Sequence, residues 1–309
     1  MTYPWGDGAR LVVSVSGGKD STAMCLHLRD KGQPFEAVFM DTGWETQETY
    51  DYLRDVLPGV VGDITWLRAE VPLEGEAEAL ALHYEERLGF YSAFVRKCLK
   101  YAGFPGRMAR WCTSELKVEP VLKHLQSMED EPVNVVGIRA EESRSRSAMP
   151  ETEYSDRLDC WVWRPLIDWT LDDVIDIHRR HGIRPNPLYL RSSSRVGCWP
   201  CIFARKAELR AIDQDRVDII RDLERDLAPM MAERRAAKGK PPRPPPRMFT
   251  TRRGGGPEDP WPIDDVMTWA MTAHGGRQFE LFASPARDAG CVRWGMCDTG
   301  QKEDPPTQR

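Results

Sequence analysis

The segment Ser16-Gly17-Gly18-Lys19-Asp20-Ser21 connects an apolar strand to a helix, and it is the strongest single indication of the fold. Residues 10–15 before it are mostly apolar and rich in valine, and residues 22–29 after it carry apolar side chains at helical spacing. Glycine lets the backbone approach a ligand closely, and the start of a helix presents free N–H groups. Lys19 adds a cation, and the serines add hydroxyl groups. The segment therefore predicts a loop that binds pyrophosphate; the alternative is a tight turn without a ligand.

The neighbouring segments repeat the same pattern of strand and helix. A second strand is predicted at 35–40, a second helix at 47–56 and a third strand at 64–67. Residues 133–138 are almost entirely apolar, which is typical of a strand at the centre of a parallel sheet. Strands that alternate with helices predict an α/β fold, a Rossmann-like parallel sheet with helices on both faces. A helical, cysteine-bearing extension is predicted at the C-terminal end.

Composition limits the classes of protein. The 309 residues include 43 basic and 48 acidic side chains, so the net charge is −5, which argues against a protein that coats nucleic acid along its whole surface. Apolar residues make up 41% of the chain, which favours a folded core over global disorder. No apolar run approaches the roughly 20 residues of a membrane-spanning helix, and residues 1–8 do not resemble a secretion signal. The sequence predicts a cytoplasmic protein without a membrane partner, whose 8 cysteines are core residues, metal ligands or reactive thiols rather than disulfides.

Four regions are expected along the chain. Residues 1–203 form the α/β domain, and residues 204–237 are a highly charged helical segment. Residues 238–257 contain Pro-Pro-Arg-Pro-Pro-Pro and Gly-Gly-Gly and are predicted to be a linker. Residues 258–309 form a small tail element.

Five motifs in a fixed order resemble one family. They are the segment 16–21, residues 39–43 with Glu48 and Thr49, residues 110–113 with Leu116 and Lys117, residues 137–143, and residues 165–170. Over residues 10–210 the chain resembles the PAPS reductase (CysH-like) family of the PP-loop ATP pyrophosphatase, or adenine nucleotide α-hydrolase, superfamily. It is most similar in style to DndC-like, phage and CRISPR-associated CysH-like proteins. The resemblance implies a HUP-type Rossmann-like sheet with a site for an adenine nucleotide.

Two departures from the family pattern bear on the activity. PAPS reductases have a degenerate PP-loop and a Glu-Cys-Gly-x-His motif, whereas this sequence has an intact loop and lacks that string. The resemblance therefore implies an enzyme that binds ATP with Mg²⁺, cleaves it between the α and β phosphates and adenylates an acceptor, in sulfur transfer or nucleic-acid modification. The alternatives are a PAPS or APS reductase and a non-catalytic nucleotide-binding subunit of a mobile-element or CRISPR system. A nucleic acid or a sulfur-donor protein is a candidate further partner, and the acceptor, pathway and oligomeric state stay open.

The resemblance also assigns roles to individual residues. Catalysis is expected from Lys19, Asp20, Asp41 and Arg139, with Lys19 stabilising the leaving pyrophosphate and the two carboxylates as candidate Mg²⁺ ligands. Asp41 has an alternative role as the cap of the next helix, and Arg139 and Arg144 are alternatively solvated surface residues. The expected nucleotide-binding residues are Ser16, Gly17, Gly18, Lys19, Asp20, Ser21, Met40, Asp41, Thr42, Gly137, Arg139 and Arg144.

Gly197-Cys198-Trp199-Pro200-Cys201 places two thiols at a spacing that can bind one metal ion or one edge of a cluster. Resemblance to APS reductases, which bind [4Fe–4S], adds Cys112 as a third metal ligand. Cys297 is the first choice for the fourth, ahead of Cys291 and Cys98. An iron–sulfur cluster, zinc, and a metal-free redox or structural role all stay open.

Basic residues gather around this Cys-x-x-Cys segment. They are Arg191, Arg195, Arg205, Lys206 and Arg210, with only Glu208 opposing them. Such a patch can bind phosphates even on an acidic chain; the alternative is a solvated helix face. His178 and His181 are interpreted as ordinary surface or core residues.

Overall fold

A computed structural model of the chain describes residues 3–6, 8–191, 193, 195–251 and 259–272. Its strands are β1 Arg10–Val15, β2 Glu36–Asp41, β3 Ile64–Arg68, β4 Pro132–Val135, β5 Thr152–Ser155, β6 Cys160–Trp163, β7 Phe249–Thr251 and β8 Asp259–Trp261. The first six form one sheet in the order β3-β2-β1-β4-β6-β5, and β7 pairs with β8 in a separate ribbon. All neighbours in the large sheet are parallel except β5, which runs antiparallel to β6. This confirms the predicted α/β, Rossmann-like sheet.

Helices follow most of the strands and cover the sheet. They are α1 Lys19–Asp30, α2 Gln47–Asp51, α3 Pro58–Val61, α4 Gly75–Leu88, α5 Ala93–Tyr101, α6 Trp111–Thr113, α7 Glu119–Gln126, α8 Leu171–Arg180, α9 Lys206–Arg210, α10 Gln214–Ala237 and α11 Ile263–Ala270. Short π-helical turns at Tyr52–Val56 and Ser114–Val118 extend α2 and α6.

The sheet positions the segment 16–21 at the edge where ligands bind in this class of fold. Val13 of β1 pairs with Ala37 of β2 on one side and with Val135 of β4 on the other, and all three are buried. After β1 the chain forms β2 on one side of it, and later returns to form β4 on the other side. The carboxyl ends of β1 and β4 therefore border a crevice, which is the usual ligand site of an open parallel sheet.

Several elements differ from the sequence-based expectation. The sequence predicts a mostly helical region at 74–101, and the structure has two helices there, because Gly89 ends α4 with a φ of +79° and the Ser92 hydroxyl caps α5. The charged region 204–237 is also two helices, because the Asp213 carboxylate accepts from the Arg216 N–H and starts α10. The predicted strand 133–138 is shorter, ending at Val135. β5 and β6 were not predicted from the sequence.

One apolar core joins the C-terminal part to the sheet domain. Trp44 and Phe94 pack in the same buried cluster as Leu223 of α10, Phe249 of β7 and Val266 of α11. Residues 240–247 of the expected linker have no regular structure. The residues that follow are anchored, because the buried Glu224 carboxylate accepts hydrogen bonds from the backbone N–H groups of Met248 and Ile263, both at 3.3 Å. Among the residues that the structure describes, no helix has the length and apolar character needed to cross a bilayer.

Candidate nucleotide and cysteine sites

The segment 16–21 forms a loop that leaves the start of α1 available. Gly17 has a φ of +68°, a conformation that glycine adopts without strain. α1 begins three residues before the predicted helix 22–29, at Lys19, and Gly18 at its N-cap has no side chain with which to cap it. The Ser21 hydroxyl donates to the Gly18 carbonyl at 3.0 Å and holds the turn closed. The geometry is that of an anion site at a helix N-terminus.

Two cations meet at the Asp20 carboxylate beside this loop. Lys19 Nζ lies 3.2 Å from Asp20 Oδ2, and Arg139 Nε donates to Asp20 Oδ1 at 2.6 Å. Arg139 is only 4% exposed and also pairs with Glu141 at 2.5 Å. Burial alone lowers the pKa of Arg139, but the Asp20 and Glu141 carboxylates outweigh it and raise the pKa. The structure therefore brings Lys19, Asp20 and Arg139 together, as the sequence predicted.

Gly137, after β4, lets this arrangement close. A Cβ atom added there would lie 3.0 Å from the Asp20 carbonyl oxygen, so only glycine fits without a shift of the backbone. Arg144 lies on the exposed turn that follows. No side-chain contact between Arg144 and the loop occurs in the part of the chain that the structure describes.

Two residues that the sequence analysis did not assign to the site support the loop from behind. The Tyr189 hydroxyl accepts from the Lys19 backbone N–H at 3.0 Å, and Lys19 Nζ lies 5.0 Å from the centre of the Tyr189 ring. His178 Nε2 donates to the Lys19 carbonyl oxygen at 2.9 Å. Burial lowers the pKa of His178, which favours its neutral form. The interpretation of His178 as an ordinary residue therefore missed a contact with the loop, and nothing in the local sequence indicates it.

Asp41 is held by protein partners on both of its carboxylate oxygens. Oδ1 accepts from the Gly43 N–H at 2.9 Å and from the Tyr50 hydroxyl at 2.8 Å. Oδ2 accepts from Arg68 Nε at 3.0 Å and from a second guanidinium nitrogen at 2.6 Å. The alternative expectation, that Asp41 caps the next helix, is wrong, because the Thr46 side chain caps α2. Asp41 orders the turn after β2, and its oxygens are not open to an ion as they stand.

The other two residues predicted after β2 lie on the same turn. Thr42 is buried and donates to the Glu45 carboxylate at 2.9 Å, so its hydroxyl hydrogen is directed into the protein. Met40 is half-buried and packs against the small apolar cluster on one face of the sheet. Both residues therefore lie at the carboxyl end of β2, where the sequence predicted them.

A second site is a cavity of about 250 Å³ whose lining includes the Cys112, Cys198 and Cys201 side chains. The Cys-x-x-Cys turn is fixed by Trp44: the Trp199 N–H donates to the Trp44 carbonyl at 2.8 Å, and the Trp44 indole N–H donates to the Pro200 carbonyl at 3.1 Å. Val196 lines the cavity and also lies beside the loop, 3.8 Å from where a Cβ on Gly18 would be. The cysteine cavity and the nucleotide loop are therefore neighbours.

The positive charge of Lys117 in this cavity favours an occupant that is negatively charged or that binds thiolates. Lys117 lines it, and its pKa is raised, chiefly by the Cys198 thiol, although burial opposes the shift. Burial raises the pKa of Cys198 to about 11, and Lys117 counteracts part of that rise. The pKa of Cys112 is also raised by burial. These thiols are thus protonated near neutral pH until a ligand displaces the protons.

The donor chemistry of the cavity suits an iron–sulfur cluster or zinc, since both take cysteine thiolates. The described residues do not complete such a site: within 3–6, 8–191, 193, 195–251 and 259–272, no group of three or more His, Cys, Asp or Glu side chains is placed to hold a metal ion. Cys297 and Cys291 lie outside the described residues. Cys98 is fully buried in the core and does not line the cavity.

Comparisons with known proteins agree with the fold. Residues 10–204 match the family model described as the phosphoadenosine phosphosulfate reductase domain. An uncharacterized 37.8 kDa protein from the gpa 5′ region of Escherichia phage 186 is 33% identical over 93% of this chain and 96% of its own length. The adenosine 5′-phosphosulfate reductase of Allochromatium vinosum is 32% identical over 62% of this chain and 67% of its own length.

Among solved structures, the phosphoadenylyl-sulfate reductase of Candida auris is similar with a TM-score of 0.44 and 20% identity, over 64% of this chain and 83% of that one. The family match covers the whole sheet and both sites, and it confirms the resemblance drawn from the five motifs. The chain belongs to the PAPS reductase family of the PP-loop superfamily.

Proposed function

We propose that this protein binds ATP with Mg²⁺ at the loop 16–21, cleaves it between the α and β phosphates and transfers AMP to an acceptor. The observation that carries the proposal is the meeting of Lys19 and Arg139 at Asp20, beside the uncapped start of α1. Backbone N–H groups at a helix start and two cations on one side of a crevice match the charge of a triphosphate.

In the proposed reaction an acceptor oxygen attacks the α-phosphorus. The new O–P bond forms as the bond from the α-phosphorus to the bridging oxygen breaks, and pyrophosphate leaves with the electron pair. The backbone N–H groups of the loop and the Lys19 ammonium stabilise the charge on the leaving group, while Arg139 holds the phosphates in line.

Asp20 is the residue that we assign to Mg²⁺, because Mg²⁺ prefers carboxylate and phosphate oxygens. Its oxygens pair with Lys19 and Arg139 in the structure. Binding of ATP gives both cations phosphate partners and releases the Asp20 carboxylate for the ion. Asp41 acts indirectly in this proposal, by ordering the turn after β2 through Arg68 and Gly43.

A second candidate function is reduction of a sulfonucleotide, favoured by the similarity to APS reductases. That reaction needs a thiolate that attacks sulfur and expels AMP, followed by attack of a reductant thiol that releases sulfite. Three thiols face a cavity next to the loop. The intact loop is the reason to rank ATP cleavage first.

One set of assays separates these functions. Pyrophosphate and AMP formed from ATP, and sulfite formed from APS or PAPS with a dithiol, are measured for the wild type and for Lys19→Ala. We expect ATP binding by calorimetry, pyrophosphate release, and a loss of about 10²- to 10³-fold in the variant, as for removal of one preorganised charge donor. Sulfite release without pyrophosphate release favours the reductase, and ATP binding without turnover favours the non-catalytic subunit.

We further propose a [4Fe–4S] cluster held by Cys112, Cys198, Cys201 and Cys297. Bound there, a cluster supplies a redox-active centre with soft metal sites. The choice of Cys297 as the fourth ligand comes from its place in the cysteine-bearing tail of the sequence. The described part of the C-terminal region reaches α9, because Lys206 Nζ donates to the Thr272 hydroxyl at 3.0 Å and Arg210 donates to the Thr272 carbonyl at 2.7 Å.

A further inference from the structure

The mouth of the cysteine cavity carries positive charge that nearby carboxylates do not neutralise. Arg110 and Arg195 line the cavity, and Arg107 lies beside Arg110 on an exposed loop. In the part of the chain that the structure describes, neither Arg107 nor Arg110 forms an ion pair. Arg195 is 3.8 Å from the buried carboxylate of Glu208, at the outer limit of a salt bridge. We call Arg107, Arg110, Arg195 and Phe203 the basic rim.

Several other exposed arginines on this acidic chain are paired with carboxylates. Arg180 lies 2.6 Å from Asp30, Arg191 2.6 Å from Glu48, and Arg225 2.7 Å from Asp222. The net charge of −5 means that carboxylates are plentiful. Unlike these three arginines, Arg107 and Arg110 have no carboxylate partner among the described residues, and their unneutralised charge beside the cavity favours an anionic partner.

The geometry of the basic rim indicates which class of anion it can bind. The guanidinium groups of Arg107 and Arg110 lie over the Phe203 ring, 5.6 Å and 5.2 Å from its centre. Stacking on the ring holds each guanidinium as a flat, charged surface. Unpaired bases stack on such guanidinium planes while the phosphates contact the charge, whereas a duplex hides its base faces. Met108, between them in sequence, is 97% exposed and adds apolar surface for a base.

We propose that the basic rim binds single-stranded nucleic acid and directs it toward the cysteine cavity and the adjoining loop. The rim borders the cavity, and Val196 joins the cavity to the nucleotide loop, so a strand on the rim has one nucleotide within reach of both sites. This rests on the proposed function in one respect: the strand then carries the acceptor of the adenylation. The binding itself depends only on the rim.

The test uses fluorescence anisotropy of the full chain with labelled single strands of about 20 nucleotides, long enough to exceed the usual site size. Oligo(dT) and oligo(rU) distinguish DNA from RNA, and a duplex of equal length and inorganic triphosphate serve as competitors. The rim variant is Arg107→Ala with Arg110→Ala. The matched control is Arg180→Ala with Arg225→Ala, which removes the same charge from exposed but paired positions.

We expect single strands to bind, and the rim variant to weaken binding at least about tenfold and to reduce the salt slope by about 1.4, for two lost contacts on a single strand. The control variant keeps wild-type affinity. Equal loss in the control, no loss in the rim variant, or competition by duplex or triphosphate as strong as by the single strand overturns the proposal. Calorimetry with ATP on the same rim variant separates the two ideas, because nucleotide binding at loop 16–21 survives a failure of the rim.

Discussion

The Tyr189 hydroxyl accepts a hydrogen bond from the backbone N–H of Lys19, across 170 residues of sequence and a distance of 3.0 Å. This contact fixes the residue whose side chain carries the main positive charge of the loop. Because Tyr189 is buried and lies directly under the loop, its hydroxyl holds the loop shape before any nucleotide arrives.

Tyr189→Phe removes that acceptor and keeps the ring. We expect ATP affinity to fall about fivefold, since a net hydrogen bond is worth roughly 1 kcal/mol. Isothermal titration calorimetry measures it, with Tyr84→Phe as the control, because the Tyr84 hydroxyl bonds to Asp226 at 2.6 Å in another part of the protein. An equal loss of affinity in both variants contradicts a specific role for Tyr189.

The proposed cluster in the cysteine cavity predicts that the protein contains iron and is coloured. Chain purified without oxygen, from cells with full cluster-assembly capacity, is expected to be brown and to contain iron, and Cys112→Ala or Cys198→Ala is expected to bleach it. Cys160→Ala is the matched control, since Cys160 is buried in β6 and does not line the cavity. Background iron in the wild type contradicts the cluster, and one zinc per chain indicates a structural site instead.

Gly43, in the turn after β2, lies very close to the backbone of another segment. Its φ is +65°, and an added Cβ would lie 2.3 Å from the Tyr91 carbonyl oxygen. Gly43→Ala is therefore expected to lower the free energy of unfolding by more than about 2 kcal/mol. Gly59→Ala is the control, because no atom lies within 4 Å of its added Cβ and it sits in α3. Chemical denaturation of both variants tests this, and equal stability of the two contradicts it.

Glu224 predicts a pH-dependent difference in stability. Burial raises its pKa, although the Ile263 and Met248 N–H groups and Arg247 oppose the rise. In the folded state this carboxyl binds its proton more tightly than in the unfolded state, so its contribution to stability falls as pH rises above the unfolded pKa. Wild type is therefore expected to gain stability relative to Glu224→Gln between pH 7 and pH 5.

Urea unfolding of both proteins across that range measures this difference. A constant difference between them contradicts the raised pKa of Glu224. Glu36→Gln, unfolded with urea from about pH 5 down to about pH 3, serves as a comparison of opposite sign. Burial raises the pKa of Glu36, but His124 and Arg10 outweigh it and lower the pKa, so its stabilising contribution is lost as pH falls.

Local patterns were sufficient to predict the loop and the strands β1 to β4 of the sheet. The apolar strand, the glycines and Lys19 are contiguous, so their spacing alone predicts a strand, a turn and a helix start. The motif around Gly137 and Arg139 could be placed beside the loop, because the carboxyl ends of parallel strands share one edge.

Such local patterns do not predict contacts between segments that are distant in the sequence. Tyr189 and His178 contact the loop only because α8 packs against α1 and brings the turn after it to Lys19. The partners of Asp41 could not be predicted either, since Arg68 reaches it from the next strand. The breaks at Gly89 and Asp213 depend on one backbone conformation and one side-chain cap, which apolar periodicity does not report.

The contacts of Trp44 predict which residues change together among relatives of this protein. Its carbonyl and indole N–H hold the Cys-x-x-Cys turn from two sides, and the Arg216 guanidinium lies 4.4 Å above its ring. A relative that loses this turn leaves the buried indole N–H without its acceptor, and an unsatisfied buried donor costs about 1–3 kcal/mol. We therefore expect the tryptophan, the thiol turn and the arginine to be inherited or replaced together.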